Sequence, residues 1–119
     1  MPAGIVTAIA RRVGGQTLST AVLEVDEAYL PLLIDQLSPA AVVLLNLSRD
    51  QLDRIGEVRM IAHRWREALA NSEAMVVANA DDPLVVYAAG EARWTTFVGA
   101  GNHWREDAFH CPRCDGRIS

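Results

Sequence analysis

Residues 40–83 read AAVVLLNLSRDQLDRIGEVRMIAHRWREALANSEAMVVANADDP. The continuous apolar run 40–45 has the pattern of a strand in a sheet covered on both faces. A polar loop, 47–56, follows it. Residues 57–69 then place Val58, Ile61, Trp65 and Leu69 at helical spacing, which predicts an amphipathic helix facing the sheet. A second apolar run, 74–78, ends in Asn79-Ala80-Asp81-Asp82-Pro83. A strand, a helix and a strand joined by so long a crossover predict parallel, right-handed pairing.

The same alternation continues on both sides. Upstream, residues 31–37 predict a helix with Pro31 in its first turn, where a missing N–H does no harm. Leu30, Leu33, Ile34 and Leu37 form its apolar stripe, and Ser38-Pro39 ends it. Residues 18–25 predict a further strand, and residues 3–13 a helix with Ile5, Ile9 and Val13 on one face, stopped by Gly14-Gly15. Downstream, Pro83 opens a short helix that Gly90 ends, and residues 94–98 predict a fourth strand. The fold class is therefore α/β, a mostly parallel sheet with flanking helices. After Gly99 the pattern breaks.

Composition narrows the function. The 119 residues suit one domain with an apolar core, since half are hydrophobic. A net charge of -4 argues against a nucleic-acid partner. All 11 cationic side chains are arginine. No lysine-dependent chemistry can run from this chain, whether a phosphate-binding loop, a Schiff base or a carbamylated lysine. No apolar run approaches the roughly 18 residues of a membrane span. Arg11 and Arg12 follow the first apolar stretch, the wrong order for a secretion signal, so the expected location is cytoplasmic.

Three polar clusters fall at the carboxyl ends of predicted strands, where open α/β sheets place their ligands. Glu24, Asp26 and Glu27 end the first. Crowded carboxylates suit a hard divalent cation, and Asp26 and Glu27 suit equally the positive end of the next helix. Asn46, Asp50, Gln51 and Asp53 follow the second, in either a ligand loop or a salt-linked one with Arg49 and Arg54. Asn79, Asp81 and Asp82 follow the third. Asp82 before Pro83 is a natural helix cap, and Asn79 can read both donor and acceptor edges of a base or ribose. Cys111-Pro112-Arg113-Cys114 has the spacing of half a structural zinc site. A redox pair and incidental cysteines are the other readings, and His103 and His110 are further ligand candidates. His63 reads as a surface residue. No Ser/His/Asp or Cys/His nucleophile pattern occurs, and no catalytic residue is assigned within the chain. There is no Gly-rich loop ending in Lys-Ser/Thr, so the chain alone is not expected to hydrolyse ATP efficiently.

Together, Pro2-Ala3-Gly4-Ile5-Val6-Thr7-Ala8, Leu23-Glu24-Val25-Asp26-Glu27-Ala28, residues 46–57, residues 79–83 and the CPRC segment resemble the central domain of the Mur ligase family, nearest its MurT-like branch. The resemblance implies a P-loop-NTPase-like domain that uses ATP and magnesium. It implies that Glu24 helps hold magnesium and that Asn79, Asp81 and Asp82 lie near the nucleotide. Peptide-forming members carry histidine where this chain has Gln51, a departure that MurT-like members share. Such members carry an inserted four-cysteine zinc ribbon, whose first pair Cys111 and Cys114 match. The resemblance divides the chain into a partial central domain, 1–101, and the start of the ribbon, 102–119. It implies an internal fragment, with the phosphate loop expected before Met1 and the second zinc pair after Ser119. The implied activity is that of a ligase subunit that amidates the α-carboxylate of D-glutamate in lipid II to D-isoglutamine through an acyl phosphate, with ammonia from a glutaminase partner. A non-catalytic α/β binding or assembly domain derived from a Mur ligase is the alternative.

Overall fold

A computed structural model describes residues 20–47 and 55–101, together with Cys111, Arg113, Cys114 and Gly116. The predicted helix 3–13 lies outside the described residues.

The elements run α1 (Leu30–Leu37), β1 (Ala41–Leu44), α2 (Ile55–Ala70), β2 (Met75–Asn79), α3 (Pro83–Ala89) and β3 (Trp94–Val98). The three strands form one sheet in the order β1-β2-β3, both pairings parallel. Val42 pairs with Val76 and Leu44 with Ala78, so these four share one face. That face meets the helices. Val58, Ala62, Trp65 and Leu69 of α2, Ile34 of α1, and Val85, Ala88 and Ala89 of α3 complete a single core with it. Pro31 stands at the start of α1, whose N-terminal residue Tyr29 makes no side-chain cap, and Ser38 closes the helix in a left-handed conformation at φ 45°. Among the described residues, no helix is long and apolar enough to cross a membrane.

Two expectations differ from the structure. Among the described residues the sheet has three strands: residues 20–26, most of the predicted strand 18–25, lie in neither helix nor strand. A strand exists only by pairing, and this run makes no ladder with β1, leaving Val22 94% exposed. Among the described residues, the sheet is also covered on one face only. Val43 is 61% exposed and Met75, Trp94 and Val98 are more than half exposed, all on the face opposite the helices. Residues 40–45 are apolar throughout, yet burial alternates along β1.

Candidate functional site

The carboxyl ends of the three strands are tied together by the turn that leaves β2. Asn79, the last residue of the central strand, donates from Nδ2 to the Leu45 carbonyl at the end of β1, at 2.7 Å. Its Oδ1 accepts from the Asp81 N–H at 2.9 Å, an Asx turn that bends the chain toward α3. On the other side the Ala80 N–H reaches the Val98 carbonyl at 2.9 Å. Asp81 Oδ2 accepts from the Ala100 N–H at 2.7 Å. One short turn therefore grips the exits of both neighbouring strands.

Asp82 lies at the centre of this arrangement and is 5% exposed. Its Oδ1 accepts the Leu84 and Val85 N–H groups, capping α3. Its Oδ2 accepts the Leu47 N–H at 2.7 Å, just past the end of β1. A buried carboxylate needs such donors, and three of them make burial tolerable.

Asn46 lies between the two attachment points. Leu45 gives its carbonyl to Asn79, Leu47 gives its N–H to Asp82 and buries its side chain, and Asn46 is exposed. Asp50, Gln51 and Asp53 lie outside the described residues.

The acidic cluster is held from α2. The Trp65 indole N–H donates to the Glu27 carbonyl at 2.8 Å, fixing the segment to the helix layer. Asp26 Oδ1 accepts from the Ala28 N–H and its carbonyl from the Tyr29 N–H, so Asp26 shapes the turn into α1. Glu24 is exposed. Among the described residues no three His, Cys, Asp or Glu side chains converge to hold an ion, at Glu24 or elsewhere.

Cys111 and Cys114 form a tight turn, closed by the Cys111 N–H on the Gly116 carbonyl at 2.7 Å. The backbone N–H groups of Arg113 and Cys114 and the Cys114 thiol hydrogen-bond to Cys111 and hold its thiol below the usual value of 9.0. Donors aimed at a sulfur favour the thiolate, the form that binds metal. The pair fits half of a tetrahedral zinc set. His103 and His110 lie outside the described residues.

His63 is exposed, with the Tyr87 hydroxyl 3.0 Å from its Nδ1. Arg66 stacks over the Tyr87 ring, bonds the Tyr87 carbonyl and pairs with Glu91. This is a latch between α2 and α3. A cleft of about 750 Å³ opens at the opposite edge of the sheet, lined by Pro39, Ala40, Ser72 and Ala74 among others. It adjoins the entry ends of β1 and β2, away from the strand exits that favour ligands.

Sequence reading located the acidic, Asn46 and Asn79–Asp82 clusters but not the bonds between them. The partners Leu45 and Leu47 are backbone groups, and the Asp82–Leu47 bond joins positions 35 apart. No local pattern marks such a pairing.

No protein-family model matches the chain. The chain is similar to the lipid II isoglutaminyl synthase (glutamine-hydrolyzing) subunit MurT of Staphylococcus aureus strain COL, at 30% identity over 125 aligned positions, 99% of the chain and 28% of the relative. The MurT subunit of Streptococcus pneumoniae is 31% identical over 105 positions, 81% of the chain and 23% of that protein. A UDP-N-acetylmuramoylalanine–D-glutamate ligase of Geobacter metallireducens is 31% identical over 100 positions, 82% of the chain and 22% of the relative. The chain thus spans less than a third of the length of these relatives.

Proposed function

We propose that this chain is a segment of a Mur ligase family protein, from the central ATP-dependent domain of a MurT-like subunit. That subunit would convert the D-glutamate α-carboxylate of lipid II to the amide of D-isoglutamine, with ammonia from a glutaminase partner. The observation that carries the reading is the 30% identity to the S. aureus MurT subunit along 99% of the chain. The turn that binds all three strand exits supports it, because it builds a rigid rim where such sheets take their ligands.

On this reading the rim carries the nucleotide end of the site, with Asn79, Asp81 and Asp82 bordering it. Glu24 gives one oxygen to magnesium, and Asn46, Asp50, Gln51 and Asp53 belong to the loop facing the reacting groups. ATP, when bound, supplies the phosphoryl group that activates the carboxylate. The chain's own contribution is placement: rim bonds that are formed before a ligand arrives cost no reorganisation afterwards. Cys111 and Cys114 would hold zinc with two thiolates from elsewhere, as a structural element. The protein works in the cytoplasm, reaching the inner face of the membrane through its lipid-linked substrate.

The test is expression of the continuous reading frame around this segment with its glutaminase, supplied with lipid II, glutamine and magnesium-ATP. Mass spectrometry of the muropeptide is expected to show hydroxyl exchanged for amine on D-glutamate. A folded, assembled pair that leaves lipid II unchanged overturns the reading.

A further inference from the structure

Two side chains of the β2 turn seize the backbone on either side of one exposed residue. Asn79 takes the Leu45 carbonyl and Asp82 takes the Leu47 N–H. Leu47 is buried beneath, and Asn46 stands between them in solvent. A residue leaving a strand ordinarily has a freely varying backbone. Here it is fixed from both neighbours by the residues that also cap α3 and shape its entry. Asp82 spends both oxygens on backbone N–H groups and is almost wholly buried.

We infer that Asn46 contacts the ligand at this rim and that Asn79 and Asp82 are positioning residues that hold it there. The carboxamide of Asn46 is uncharged and offers two N–H donors, which suits an anionic oxygen of a phosphoryl or carboxylate group. Fixing both flanking peptide groups removes backbone freedom that a ligand would otherwise have to freeze. The inference rests on the nucleotide reading above and divides its labour: the exposed asparagine touches, the buried aspartate places.

The experiment uses the continuous reading frame around this segment, with magnesium-ATP as the probe and amide resonances as the readout. Asp82→Ser separates the two duties of Asp82. Serine is a good helix cap, but its side chain is too short to keep the bond to Leu47 as well. The expected result is protection across α3 close to that of the unaltered chain, with exchange at the Leu47 amide about tenfold faster, the scale of one lost charged hydrogen bond. Magnesium-ATP should shift the Asn46 side-chain resonances and bind about tenfold more weakly to Asp82→Ser. Asn46→Ala should weaken binding while leaving exchange at Leu47 unchanged. Unaltered affinity in both variants overturns the inference. Unaltered exchange at Leu47 in Asp82→Ser overturns the positioning role by itself. An unaltered chain that does not respond to magnesium-ATP overturns the nucleotide reading and the contact at Asn46 together, and exchange at Leu47 then still decides the role of Asp82.

Discussion

Asp82 accepts three backbone N–H groups on one buried carboxylate, so its removal leaves donors unpaired as well as a helix uncapped. Asp82→Ala is expected to cost about 2–4 kcal/mol, the sum of a lost cap and a stranded buried amide, as read by urea denaturation. Asp82→Ser should cost clearly less. Cys111 gives a second prediction at this scale. Its thiol titrates below 9.0 because the N–H groups of Arg113 and Cys114 favour the thiolate. Alkylation of Cys111 in the metal-free chain should therefore reach half its maximal rate at a lower pH than in an unstructured cysteine peptide. The linkage has a definite sign: the folded turn holds the proton less tightly, so its stabilisation is complete above the ordinary value and is lost as pH falls through the lowered one. Asp82 was legible as a cap from the following proline. Its bond to Leu47 was not, because backbone donors carry no sequence signature.

Among the elements, α2 does more than cover the sheet. Trp65 is 5% exposed and sends its indole N–H to Glu27. Trp65→Phe keeps most of the apolar contact and loses the donor. The expected cost is about 1–3 kcal/mol from the stranded carbonyl and the smaller ring, with faster amide exchange in residues 28 and 29 as the readout. The three described helices were well read from the sequence because their periodicity and stops are local. The predicted apolar faces of α1 and α2 face the core, and Pro83 and Gly90 bound α3 as expected. The run 18–25 shows the limit of such reading. Its residues have strand composition, but composition supplies no neighbour, and residues 20–26 are unpaired into any ladder.

At the scale of the whole molecule, the described residues pack one layer of helices on one face of a three-stranded sheet. This asymmetry predicts unequal responses to similar substitutions in neighbouring strands. Val76, fully buried, should cost about 2–3 kcal/mol as Val76→Ala. Val43→Thr, on the bare face, should fall within about 0.5 kcal/mol. Equal costs by thermal denaturation would show that the second face is covered in solution. The sequence could not disclose this one-sidedness, since residues 40–45 are apolar at every position and suit burial on both faces. The turn that leaves β2 has a consequence of another kind, in the history of the gene. Asn79, Asp81 and Asp82 each reach a different target, just past the ends of the two neighbouring strands. A change of residue type there loses the bonds of one side chain only. A single codon gained or lost between positions 79 and 83 would turn several of these side chains off their targets together. Among descendants of this sequence, that stretch should vary in its letters long before it varies in its length.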